Sequence, residues 1–237
     1  MNLLLIDKED FISVGRIVIS GRRFLQLRDV IKPVCGDTLR TGICNGNTGK
    51  ATLLEMNSDH AVLDVVLDTP PPPPPPSPVT LVCALQRPLT VRKILHCSLT
   101  MGVKKIHFIH AAKVEKSYWQ SPRIVPEAFR KELIEALEQC GDTVLPEISF
   151  CRSFKEFADE ALPEFSAGTV MLTAHPAGTL PVERQAGESV TLIVGPEGGF
   201  TDYEITRLTG SGAKTVTLGA RVLRTEYAVA ALLGKLL

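Results

Sequence analysis

The 237-residue sequence has no Cys-x-x-Cys pair, no excess of either charge, few aromatics (5%) and no apolar stretch long enough for a membrane span, which takes roughly 18–20 residues. Each absence excludes something. The six cysteines (Cys35, Cys44, Cys83, Cys97, Cys140 and Cys151) stand singly, whereas thiolate metal sites need closely spaced ligand pairs. They are expected to be reduced, largely buried apolar residues of a cytoplasmic chain, and no metal is expected. His107 and His110 are close in sequence, but positions i and i+3 of a strand face opposite sides. The 26 basic and 26 acidic residues cancel, so any surface for nucleic acid must be local. The opening residues Met1–Asp7 carry no basic n-region, so no signal peptide is expected, and no membrane partner either. There is neither a Walker loop nor a GxGxxG fingerprint.

What is present falls into two unlike parts. Residues 1–69 read as a small all-β domain. Short strands are expected over 16–19, 37–44, 50–56 and 60–67, with Asn45–Gly49 as a hairpin turn and one helix over 22–31. Such spacing suggests a barrel. Residues 70–78 are almost entirely proline, which forms polyproline II and reads as a semi-rigid spacer. From 79 to 237, strand and helix patterns alternate: strands over 79–85, 105–110, 168–174, 190–194 and 215–218, helices over 90–101, 126–140, 154–165 and 227–237. That alternation predicts an α/β domain with a mostly parallel sheet.

The most informative stretch is the last one. Val190–Val194 is short, β-branched and uncharged, hence a buried strand, and it ends in Gly195-Pro196-Glu197-Gly198-Gly199-Phe200. Thr201 followed by Glu204 is a capping-box pattern that opens a helix. The strand over 215–218 also ends in glycine, Gly219, and leads into Ala220–Glu226. Ligands of open α/β sheets bind where strands end at their carboxyl edge, so these two loops, with the end of the strand at Leu172, Thr173 and Ala174, form the candidate site. Glycines allow close backbone approach to a ligand. Glu197 is expected to hold the first loop by accepting hydrogen bonds from loop amides.

Gly-Pro-Glu-Gly-Gly-Phe at 195–200, followed by Leu-Gly-x-Arg-Val-Leu-Arg-Thr-Glu at 218–226, resembles the signature of the 16S ribosomal RNA (uracil-N3) methyltransferases of the SPOUT class. The similarity is dense from Leu192 to Ala228 and an outline elsewhere. It implies a PUA-like RNA-binding barrel over 1–69, whose turn matches Gly36-Asp37, and a trefoil-knotted methyltransferase domain over 79–237. It further implies S-adenosylmethionine as cofactor, ribosomal RNA or the small ribosomal subunit as partner, and a homodimer. Carried onto this chain, the cofactor would lie on Leu172, Thr173, Ala174, Gly195, Pro196, Glu197, Gly198, Gly199, Leu218, Gly219, Val222 and Leu223. RNA would meet Arg22, Arg23, Arg28 and Arg221, and catalysis would fall to Arg224 and Glu226. The chain departs from the family pattern in lacking an arginine near its start, and at Thr100-Met101, Asp142 and Tyr227. Another RNA base as target, or a non-catalytic RNA-binding protein of the same fold, are the alternatives.

Overall fold

The structure, a computed structural model, describes residues 2–68 and 75–237; Pro70–Pro74 of the proline run lie outside the described residues. The chain divides into two compact units, Met1–Pro75 with Ile134–Leu145, and Pro76–Leu133 with Pro146–Leu237.

The first unit is a curled six-stranded sheet in the order β1-β4-β5-β6-β3-β2. Its strands are β1 (Leu4–Ile6), β2 (Phe11–Ser13), β3 (Arg16–Ser20), β4 (Thr38–Ile43), β5 (Thr48–Met56) and β6 (His60–Leu67). Alternation decides its core: Ile17 and Ile19 of β3 and Ala61, Leu63 and Val65 of β6 point inward with Leu4, Ile6, Phe24 and Leu53. Asn45 takes the left-handed conformation (φ 58°) at the turn between β4 and β5. The helix expected over 22–31 is α1 (Gly21–Gln26), running on as a π-helical turn over Leu27–Ile31 and stopped by Lys32 at φ 54°. Residues 134–145 belong to this unit through hydrogen bonds such as Leu3 N to Glu138 O (3.0 Å) and Asn45 N to Thr143 O (2.8 Å).

The second unit is built on a sheet in the order β12-β10-β11-β7-β8-β9, parallel throughout. Its strands are β7 (Val79–Ala84), β8 (Lys105–Ile109), β9 (Glu147–Cys151), β10 (Val170–Ala174), β11 (Val190–Val194) and β12 (Lys214–Val216). Every residue of β11 is buried, as a parallel strand covered on both faces must be. The helices are α2 (Pro88–Thr100), α3 (Pro126–Cys140), α4 (Phe154–Glu156) continued through a π-helical turn into α5 (Leu162–Phe165), α6 (Asp202–Gly210) and α7 (Thr225–Leu236). α3 thus supplies residues to both units. β12 lies at the sheet edge beside β10, yet α7 packs on α2 and β11, so the segment between them crosses back over the strand ends. This α/β arrangement is the one expected of a PUA-like barrel followed by a SPOUT domain.

Three strands were not anticipated: β1 and β2 are too short to show a period, and β9 has no fully buried residue to mark it. The cysteines also differ from expectation, since only Cys83 is buried and Cys35 is exposed. Burial pushes the Cys83 thiol up to about 12, which keeps it protonated and unreactive. Among the described residues no helix is long and apolar enough to cross a membrane.

Candidate functional site

Parallel strands deliver their following loops to one edge, and three of them build a cleft there. β10 contributes Ala174, His175 and Pro176; β11 contributes Val194 to Glu197, Gly199 and Phe200; β12 contributes Val216 to Gly219, Arg221, Val222 and Leu223. Thr225, Ala228 and Leu232 of α7 close the floor. The cleft holds about 740 Å³ of empty space, part of it open solvent. Gly199 (φ 70°) and Gly219 (φ 116°) need the left-handed region, and a Cβ on either would stand in open space. The backbone therefore lies bare to a ligand on both loops. Gly195 differs: a Cβ there would come within 3.1 Å of Phe200, so its role is packing.

The first loop is clamped from outside. Gln86, fully buried, donates from Nε2 to Gly195 O (3.0 Å) and Ala84 O (2.7 Å). Lys113 Nζ donates to Gly198 O (2.9 Å). The Glu204 carboxylate, 2% exposed, accepts from Thr201 N (2.8 Å), Thr201 Oγ1 (3.0 Å) and Ala112 N (2.7 Å). The capping box is therefore present as expected and also ties the loop after β8 to the start of α6. Glu197 does not take the amide-binding role expected of it: its carboxylate pairs with Arg87 at 3.4 Å. The organising carboxylate is Glu204. The second loop has fewer anchors, chiefly Thr217 N to Leu180 O (3.0 Å) and Gly219 N to Thr217 Oγ1 (3.2 Å). Val222 there is 82% exposed.

Of the residues singled out from sequence, Ala174, Gly195, Pro196, Glu197, Gly199, Leu218, Gly219, Arg221, Val222 and Leu223 line this cleft. Leu172 and Thr173 are buried within β10, and Gly198 faces the Lys113 side chain rather than the cleft. Arg224 and Glu226 are not on the cleft wall. Helical spacing explains this: Thr225, Ala228 and Leu232 (i, i+3, i+7) share the face of α7 that meets the cleft, while Glu226 is turned towards α2. There it accepts from Lys93 Nζ at 3.1 Å. Arg224 is exposed at the N-cap of α7.

The arginines singled out in the first unit are engaged in ion pairs. Arg23 forks onto both oxygens of Asp10 (2.7 Å each) and donates to Leu5 O. Arg22 pairs with Glu138 (2.8 Å), and Arg28 with Asp29. Burial raises the Glu138 carboxyl above its ordinary value even though Arg22 opposes it. Sequence reasoning did not single out Phe200 and Thr217 on the wall or Gln86 behind it, and it read Glu204 only as a helix cap. His175 Nδ1 accepts from Ala177 N (3.2 Å), which leaves the proton of the neutral ring on Nε2. The Thr201–Glu204 spacing was a signal for Glu204; Gln86 carries none.

A family model described as an RNA methyltransferase domain matches residues 73–237. A relative from Treponema pallidum, named ribosomal RNA small subunit methyltransferase E, is 28% identical over 237 residues, covering 98% of this chain and 88% of the relative. A relative of the same name from Mycobacterium bovis is 30% identical over 163 residues, 66% of this chain and 62% of its own. Among solved structures, a ribosomal RNA small subunit methyltransferase E from Neisseria gonorrhoeae, bound to S-adenosyl methionine, is similar with a TM-score of 0.78 at 21% identity, covering 99% of this chain and 95% of that one. A methyltransferase from Legionella pneumophila with bound cofactor is similar with a TM-score of 0.75 at 22% identity, covering 99% and 96%.

Proposed function

The chain belongs to the family of RNA methyltransferase domains, and on that premise we propose that it methylates ribosomal RNA from S-adenosylmethionine, at N3 of a uridine of the small subunit. The observation that carries the reading is the pair of positive-φ glycines, Gly199 and Gly219, bared on two loops of one cleft at the carboxyl edge. The names and bound cofactor of the relatives and structural neighbours support the substrate and donor.

When bound, S-adenosylmethionine supplies a methyl group on a sulfonium sulfur. The chain would hold it with backbone groups of 195–199 and 217–219, and with the apolar walls of Leu218, Val222 and Leu223. Transfer to a uracil N3 would form the new N–C bond as the S–C bond breaks, leaving S-adenosylhomocysteine and releasing the N3 proton to water. Holding both partners in one complex supplies much of the acceleration. Arg221 on the wall and Arg224 at the rim are the cations placed for a phosphate or a uracil carbonyl. Glu226, held by Lys93, positions the helix start that carries Arg224. A homodimer is part of the reading, since Val222 and Tyr227 (82% and 58% exposed) leave apolar surface beside the cleft. A stable interface would bury about 1,200 Å² or more.

The test pairs calorimetry with RNA analysis. The folded chain is expected to bind S-adenosylmethionine, and to restore N3-methyluridine to small subunits from cells lacking the protein, read by nucleoside mass spectrometry. Absence of cofactor binding would overturn the enzyme reading. Methylation of a different base would overturn only the target.

A further inference from the structure

The functional edge of the parallel sheet does not stop at the cleft. Because all six strands run the same way, β7, β8 and β9 end on the same side as β10, β11 and β12. His110 directly follows β8 and Arg152 directly follows β9. Between them stands Trp119, whose Nε1 donates to His110 Nδ1 at 3.0 Å. The Arg152 guanidinium lies 5.3 Å from the centre of the Trp119 ring, and Phe150 meets that ring edge-on at 6.3 Å. Trp119 and His110 are half-buried, but Arg152 is exposed and Phe150 is 40% exposed. Phe150 backs the ring from a cluster with the buried Phe108 and Phe129, so the exposed plane beside Trp119 is the Arg152 guanidinium.

Charge points the same way. The loops after β7, β8 and β9 (85–87, 110–125 and 152–153) carry Arg87, Lys113, Lys116, Arg123 and Arg152 against Glu115, five cations to one anion in a chain of net charge zero. This is the local basic surface that the overall composition conceals. It is continuous with the cleft: Glu197 on the cleft wall pairs with Arg87 (3.4 Å), and Arg87 Nε donates to Tyr118 Oη (3.2 Å), the neighbour of Trp119.

We propose that Trp119 and Arg152 form a stacking subsite for an unpaired base of the RNA, flanking the base that is methylated. This rests on the RNA reading above and adds to it a place on the protein. Sequence-specific proteins take RNA as splayed single strands, stacking bases on aromatic rings or guanidinium planes while cations follow the phosphates. The Trp119–Arg152 pair offers such planes, and Lys113, Lys116 and Arg123 lie on the loop that a backbone reaching the cleft would pass.

Trp119 is the only tryptophan of the chain, so its emission reports on the subsite directly. Titrating the full chain with a short single-stranded RNA of mixed sequence should quench that emission saturably, and the same RNA in duplex should quench it less. Trp119→Leu should weaken binding of the labelled strand by about 5-fold or more, and Trp119→Phe should restore most of it. Arg152→Gln, which removes the guanidinium plane, should also weaken binding. S-adenosylmethionine affinity should be unchanged in all three. RNA binding without quenching, and undiminished in Trp119→Leu and Arg152→Gln, would overturn the subsite while cofactor binding and methylation left the proposed function standing. Wild-type protein that binds neither cofactor nor RNA would overturn both. Should Trp119→Leu fail to fold, Arg152→Gln, an exposed position, carries the same test.

Discussion

The two loops that make the cleft are built differently. The first, at Gly195–Phe200, is gripped by Gln86, Lys113 and Glu204, and Glu197 is tied to Arg87. The second, at Thr217–Arg224, leans on Leu180 and on its own Thr217 hydroxyl, and leaves Val222 and Arg224 in solvent. A wall fixed before binding costs little ordering when a ligand arrives; a lightly anchored wall can adjust to whatever enters. On the proposed reading, the first loop offers the methyl donor a fixed wall, and the second, which faces the same donor through Leu218, Val222 and Leu223 and carries Arg221 and Arg224, can adjust between donor and substrate.

The largest effect should follow from removing the grip on the first loop. Glu204→Ala strips the acceptor from the amides of Thr201 and Ala112 and deletes half of a capping box. A loss of about 2–4 kcal/mol in unfolding free energy is expected by chemical denaturation. A loss below ~0.5 kcal/mol would mean that the loop holds itself, and the contrast between the walls would collapse. Next comes Gly199→Val. No atom lies within 4 Å of the added Cβ, but φ 70° is strained for valine, so stability should fall by ~1–3 kcal/mol while the fold persists. S-adenosylmethionine affinity should drop by at least ~10-fold in calorimetry, a drop of at least about 1.4 kcal/mol. Normal binding would show that the loop backbone does not meet the cofactor.

On the second loop the effect should appear in turnover. Arg224→Ala should slow single-turnover methylation by ~10-fold with cofactor affinity and melting temperature nearly unchanged, since the side chain is exposed and off the cleft wall. Weakened cofactor binding instead would place Arg224 among the groups that hold the donor.

How far the sequence foretold this depends on whether the determinants are local. β11, the Thr201–Glu204 box and the glycine-ended strands were readable because each depends on neighbours within a few residues. The grip of Gln86 on Gly195 spans 109 residues and leaves no pattern in either segment. Glu197 is expected to organise the loop because it sits inside the glycine motif; the fold gives that role to Glu204, the capping-box acid, which is buried. Helix α3 read correctly as one amphipathic helix, but nothing in its pattern says that residues beyond Ile134 pack with the first unit. The resemblance implies a catalytic role for Glu226, whereas one residue of helical rotation from Thr225 turns it towards Lys93.

That ion pair supports the smallest prediction. The second loop runs into α7, and Lys93–Glu226 is where the start of that helix is fastened to α2. Burial alone would raise the Glu226 carboxyl, but the hydrogen bond from its own backbone amide and the Lys93 ammonium outweigh it and hold the group below its ordinary value. A carboxyl lowered on folding contributes stability above its unfolded value of about 4.3 and loses that contribution as the pH falls through the lower folded value. Lys93→Met should therefore cost stability at neutral pH, by less than ~1 kcal/mol because the Lys93 side chain is 57% exposed and screened. As the pH falls through and below that lowered value the two proteins should converge, once Glu226 is protonated in both. Denaturation curves at pH 7, 5 and 3 would measure this. A deficit that stays constant across that range would assign the contact to packing of the lysine stem, and α7 would then be fastened by its apolar face alone.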